Sequence, residues 1–167
     1  KVLTFLPADR EVLFRLGVLD QKAGKIDESL GWFRRLIEAN PNDAQALNFA
    51  GYMLADRGTD LEIAHDWISR AVAIDGENGA YRDSYGWVLY RLGRHPEAVE
   101  QLEHAARLEP GEAEIQIHLA KAYRAAGRGD DGRRVLQQLL QSQPNERQAR
   151  ELLQIWTEAP PDSGNRR

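Results

Sequence analysis

The sequence predicts an all-α chain in which antiparallel helix pairs repeat about every 34 residues. Three series of residues keep that period. Gly17, Gly51 and Gly86 are spaced by 34 and 35 residues, and Ala120 follows after another 34. Gly24, Gly58, Gly93 and Gly127 form a second series, with gaps of 34, 35 and 34. Pro41, Pro110 and Pro144 form the third, with Gly76 in the remaining position. No segment alternates apolar and polar residues over a useful length, so strands are not expected.

Each series has a physical task. A glycine inside a helix costs about 1 kcal/mol relative to alanine. Gly17, Gly51 and Gly86 therefore predict a neighbouring helix close enough that only a very small side chain fits between. The second series follows an apolar-periodic run and suits the left-handed residue that closes a helix. The prolines stop the second helix of each pair. Asp43 and Glu112 then fall in or near the first turn of the next helix, where its dipole favours a negative charge.

Along the chain, Leu13, Leu16 and Asp20 mark the first helix, and Ile26, Leu30, Phe33, Leu36 and Ile37 mark its partner. The later second helices show Ala64, Trp67, Ile68 and Ala71, then Ala98, Leu102 and Ala105, then Val135, Leu136, Leu139 and Leu140. Beyond the last proline, Ala149, Leu152, Leu153 and Trp156 make an i, i+3, i+4, i+7 stripe, predicting a capping helix over 147–158. Carrying the frame backwards places Pro7 at a repeat-closing position, so residues 1–9 read as the end of a preceding repeat. The stretch from Ala159-Pro160-Pro161 to Arg167 has no apolar pattern and is expected to be a disordered tail.

Composition narrows the function. The net charge of −4, with both signs interspersed, supplies no basic field for a phosphate backbone, so nucleic acid is disfavoured as a partner. No apolar run approaches the roughly 18 residues of a membrane span. The chain has no cysteine, which removes disulfides, thiolate nucleophiles and thiolate metal sites together. His65, His95, His104 and His118 show no metal-binding spacing, and Glu100 with His104 reads as a helix-stabilising pair. Gly127-Arg128-Gly129-Asp130-Asp131-Gly132 matches the dinucleotide-binding glycine pattern, but a helix precedes it where a strand is required. Two aspartates would also face the pyrophosphate. Catalytic residues, metal ligands and cofactors are therefore expected to be absent.

Leu16-Gly17, Ser29, Phe33, Leu36 and Pro41 resemble a tetratricopeptide repeat, with Ser29 and Leu36 departing from its usual alanines. So do Ala50-Gly51, Ala64, Ile68, Ala71 and Gly76, then Tyr85-Gly86, Ala98, Leu102, Ala105 and Pro110, then Leu119-Ala120, Tyr123, Gly132, Leu136, Leu139 and Pro144. The resemblance implies a right-handed α-solenoid with repeats over 10–43, 44–78, 79–112 and 113–146, the second carrying one extra residue near Thr59-Asp60. It also implies a concave face lined by the first helices. On that face fall Phe14, Asn48, Tyr52, Asp83, Trp87, Tyr90, Arg91, Lys121 and Arg124, the candidate partner-binding residues. Tyr, Trp and Arg are the types that dominate binding hot spots. The Lys-and-Asn pair with which some relatives clamp a C-terminal carboxylate is missing at Phe14/Val18, Asn48/Tyr52, Asp83/Trp87 and Ile117/Lys121.

Two stretches, Leu47 to Arg57 and Asp83 to Gly93, are similar to proteobacterial repeat lipoproteins of the periplasmic side of the outer membrane. That similarity implies an adaptor for envelope enzymes such as proteases. The alternative location is cytoplasmic. The expected function is a non-catalytic scaffold binding a protein or peptide. The alternatives are the repeat portion of a larger enzyme and a self-associating module.

Overall fold

A computed structural model of the protein describes residues 9–158. The expected end of a preceding repeat, except Asp9, and the expected tail over 159–167 lie outside the described residues. All regular structure among the described residues is helical, and the chain divides into two compact units, 1–76 and 77–167. The first holds α1 (Arg10–Lys22), α2 (Ile26–Ala39), α3 (Ala44–Arg57) and α4 (Leu61–Ile74). The second holds α5 (Gly79–Arg91), α6 (His95–Leu108), α7 (Ala113–Ala125), α8 (Gly129–Ser142) and α9 (Arg147–Glu158). No described helix is long and apolar enough to cross a membrane.

The same backbone device closes the first helix of every pair. Gly24, Gly58, Gly93 and Gly127 all have φ between +73° and +79°. Each donates to the carbonyl three residues back, and the next residue donates five residues back, as in Lys25 N to Asp20 O at 2.8 Å. This satisfies carbonyls that the ending helix leaves open and reverses the chain. The second helices end on an extended residue: Asn40, Glu109 and Gln143 precede prolines, with φ between −128° and −140°. Asp75 takes the same form, φ −141°, before Gly76, so the stop does not depend on the proline ring.

In the first unit, Phe33 has no exposed surface and packs with Phe14 and Phe49 at centroid separations of 5.4 and 5.3 Å. A Cβ on Gly17 would lie 2.8 Å from the Phe33 ring, so the glycine is what lets the ring lie against α1. Ile68 lies over Gly51 in the same way, 2.5 Å from where a Cβ would stand. Ser29, in the place of the usual alanine, is fully buried and donates to Gly17 O at 2.7 Å.

Arg10 grips Asp43 through two bonds, Nε to Oδ2 at 2.6 Å and Nη2 to Oδ1 at 2.9 Å, while Asp43 caps α3 by accepting from Ala46 N–H. Burial alone would raise the Asp43 carboxyl, but the Arg10 and Ala46 bonds outweigh it and hold the group below its ordinary 3.8. A depressed folded value stabilises the fold above about 3.8 and loses that contribution as pH falls through the lower folded value. Asp43→Asn should therefore lose roughly 1–2 kcal/mol at neutral pH. Urea titrations across an acid series should show that difference vanish once wild-type Asp43 is protonated.

In the second unit the core forms two clusters. Leu89, Ala98, Leu102, Leu119, Ala122 and Tyr123 join α5, α6 and α7. Ile117, Ala120, Leu136, Leu139, Ala149 and Trp156 join α7, α8 and α9. The capping stripe of α9 thus lies on the last helix pair. The close approach at Gly86, under Leu102, follows the pattern of the first unit, but the last pair inverts it. Ala120 replaces the glycine of the first helix, and Gly132 appears opposite, where a Cβ would lie 2.6 Å from Ala120 O. Close packing survives because the smallest residue has changed sides.

The glycine-rich stretch is the end of the turn after α7, at Gly127 and Arg128, followed by the first turn of α8, with helix on both flanks. Asp131 is engaged by Arg128 at 2.7 Å and Arg134 at 3.1 Å. Burial and a bond to Glu103 push the nearby Tyr123 hydroxyl up to about 12. One expected pairing does not form: His104 Nε2 lies 3.9 Å from Glu77 rather than beside Glu100. Glu77 precedes α5 and comes within reach because α6 packs on α5.

Candidate partner-binding site

Two helices of the second unit assemble the site. On α5, Asp83, Trp87 and Tyr90 recur at four and three residues, so they share a face. On α7, His118, Lys121 and Arg124 do the same at three and three. These faces meet. The His118 ring stacks on Trp87 at 4.2 Å and an interplanar angle of 15°. Tyr90 stacks on Trp87 at 5.0 Å and 11°, and His95, from α6, lies 5.5 Å from Tyr90. Four rings thus form a ladder running from α7 through α5 to α6.

The ladder is anchored by a buried polar pair. His118 Nδ1 lies 3.0 and 3.1 Å from the two Asp83 oxygens, with both residues almost fully buried. Cations border the rings: Lys121 Nζ lies 5.2 Å and the Arg91 guanidinium 5.7 Å from the Trp87 ring centre. The Arg124 guanidinium stands 4.8 Å from the ring of Trp156 on α9. Such placements are attractive because a ring face carries negative charge density. Beside them opens a groove of about 540 Å³ lined by Tyr90, Lys121, Arg124, Ala125, Leu152 and Trp156. Two polar atoms of the ladder are buried without a protein hydrogen-bond partner, Trp87 Nε1 and His95 Nδ1.

The sequence-predicted residues divide by exposure. Tyr90, Lys121 and Arg124 line the groove, and the half-buried Arg91 borders Trp87. Asp83 and Trp87, 6% and 7% exposed, form the floor on which the exposed groups rest, rather than open contact surface. In the first unit, Phe14 is half-buried in its aromatic trio and Asn48 is buried with Oδ1 unmatched. Tyr52 is half-buried on α3.

Sequence reasoning missed His118 and the α9 wall. His118 follows Asp83 by 35 residues, one period plus one, and an acid and a histidine at that separation on neighbouring first helices were the available signal. Leu152 and Trp156 belong to the stripe expected to cap the array, and both pack against the cluster that joins α7 and α8. The groove exists because α9 ends beside α7.

Comparison with known proteins follows the same frame. Family models described as tetratricopeptide repeat match residues 14–79 and 89–155. The TPR repeat-containing protein PA4667 of Pseudomonas aeruginosa is 32% identical over 115 residues, covering 69% of this chain and 19% of that protein. Anaphase-promoting complex subunit 3 of Schizosaccharomyces pombe is 30% identical over 111 residues, covering 66% of this chain and 16% of that protein. The chain thus spans less than a fifth of either relative, at 19% and 16%. Among solved structures, pilF of Pseudomonas aeruginosa superposes with a TM-score of 0.76 at 19% identity, over 88% of this chain and 67% of that one. The MamA protein superposes with a TM-score of 0.70 at 17% identity, over 89% and 81%. These two structures share the fold.

Proposed function

The chain belongs to the tetratricopeptide repeat family, whose members generally mediate protein–protein interaction, and on that premise we propose that it is a non-catalytic adaptor whose second unit holds a protein partner in the Tyr90–Lys121–Arg124 groove. The observation that carries the reading is the groove itself: rings and cations positioned on rigid helices, with an apolar wall from α9. Aromatic and arginine side chains concentrate binding energy when a packed scaffold fixes them in advance. The buried Asp83–His118 pair supports that fixing from below, because it sets the His118 ring on which Trp87 stacks, and Tyr90 stacks in turn on Trp87.

The test is a triple substitution, Tyr90→Ala with Lys121→Ala and Arg124→Ala. None of these side chains is fully buried, so the helices should stay folded. Proteins captured specifically by the wild-type chain should be lost by the variant, an affinity drop of at least roughly tenfold, or about 1.4 kcal/mol. Unchanged capture by a folded variant would sink the groove assignment.

The proposal extends to location. On the resemblance of Leu47–Arg57 and Asp83–Gly93 to envelope lipoproteins, the full-length protein acts on the periplasmic side of the outer membrane, recruiting an envelope protease. Recovery of the full-length protein from the cytosol after cell fractionation would overturn that part and leave the adaptor reading standing.

A further inference from the structure

Three apolar side chains on α1 face solvent. Val12, Leu16 and Leu19 are 51%, 37% and 62% exposed, and their spacing of four and three puts them on one helix face. The repeat frame shows what that face does elsewhere. The same places hold Ala46, Ala50 and Met53 on α3 and Ile115, Leu119 and Ala122 on α7, none more than 5% exposed. Within each unit the cover is the second helix of the pair before: α2 packs on α3, and α6 packs on α7. The stripe on α1 is thus a stacking face that the described residues leave exposed.

Scattered apolar residues on a surface are ordinary, but a continuous stripe marks a contact. Where the second unit closes, the opposite choice is made. The outer face of α9 carries Arg147, Glu151 and Gln154, all exposed, with Arg147 and Glu151 ion-paired at 2.6 Å. A face that meets water is built from polar side chains there, and the α1 stripe is not.

The neighbouring sequence supplies an occupant. Residues 1–8, outside the described residues, run directly into Asp9, whose side chain caps α1. They include Val2, Leu3, Phe5 and Leu6. One period on, Val2 and Leu3 correspond to Leu36 and Ile37 near the end of α2, and Leu36 is buried. In the second unit Ala106 holds the place of Leu3, and it packs against the cluster containing Leu119 and Ala122. Those two residues hold the places of Leu16 and Leu19. We propose that the Val2–Leu6 segment of this chain docks on the α1 stripe, with Val2 and Leu3 against Val12 and Leu16. Leu19, a turn further along, borders the contact. The contact closes the first unit and withdraws the stripe from other proteins. It does not depend on the groove reading.

The chain has no cysteine, so an engineered pair reports on one contact alone. Leu3→Cys with Leu16→Cys, treated with a short bismaleimide at low protein concentration, should cross-link within the chain roughly tenfold faster than Leu3→Cys with Arg15→Cys. The Arg15 side chain is 73% exposed and lies off the stripe at almost the same distance along the sequence. An undocked segment would reach both cysteines equally, so equal rates would overturn the proposal. Links between chains in place of links within them would also overturn it, in favour of a second copy on the stripe. A second measurement leaves α1 unaltered. Leu3→Asp with Phe5→Asp should speed hydrogen exchange of the α1 amides by about tenfold, with the α7 amides unchanged. Unchanged exchange in α1 would count against docking. Every residue altered lies outside the second unit, so failure here leaves the groove to its own test.

Discussion

Phe33→Ala should destabilise the protein by about 3–5 kcal/mol, the usual loss for truncating a fully enclosed aromatic side chain. The upper part of that range is expected here. Phe33 has no exposed surface, stacks on Phe49 at an interplanar angle of 17° and receives the Phe14 edge at 82°. Its ring also fills the space that Gly17 leaves on α1. Removing it opens a cavity bordered by backbone that cannot collapse inward without moving a helix. Urea unfolding followed by far-ultraviolet circular dichroism gives the magnitude. Hydrogen exchange should place the loss of protection in α1, α2 and α3, because stability in repeat folds is a sum of local and nearest-neighbour terms. A loss below about 1 kcal/mol would mean that the trio is not a cooperative core.

Asp83→Ala should cost a comparable amount, about 3–5 kcal/mol, for a different reason. The carboxylate and the His118 ring are both almost fully buried, and removing one partner strands the other away from water. Truncating both together, Asp83→Leu with His118→Leu, should cost less than Asp83→Ala alone, since neither polar group is then left unmatched. The pair also holds the ring that stacks on Trp87, so near-ultraviolet circular dichroism should change in Asp83→Ala under conditions where the helices persist. An Asp83→Ala variant with wild-type stability and an unchanged aromatic signal would show that the ladder holds itself.

Much of the fold was legible because its determinants are local and repeated. A left-handed glycine, an extended residue before a proline and an i, i+4 apolar stripe each act within a few positions, so they appear in the sequence at a fixed period. Choices settled by contact between helices were harder to see. The alanine at Ala120 looks like a lapse in the glycine series until Gly132 is found against its carbonyl, the two sites having traded the requirement for smallness. Asp83 falls on a face that the repeat frame directs inward, which made it resemble a binding residue. Inward positions of neighbouring first helices also face one another, and the histidine that claims Asp83 lies a full period away. Groove and floor can be told apart only once the depth of each side chain is known. For the same reason Trp156 read as a cap alone: its stripe is visible in sequence, but its ring beneath Arg124 is not.

The turn between α3 and α4 carries a separate consequence. After Gly58, where the other first-to-second turns place one residue before the next helix, this one places Thr59 and Asp60, with Asp60 itself at φ +49°. The added length is taken up by one strained backbone residue, while Gly51 still faces Ile68 on the returning helix. Helix register is therefore insensitive to chain length at this point. That makes the tip at Thr59-Asp60 the natural place for a label or spacer, with the packed faces on either side keeping their partners.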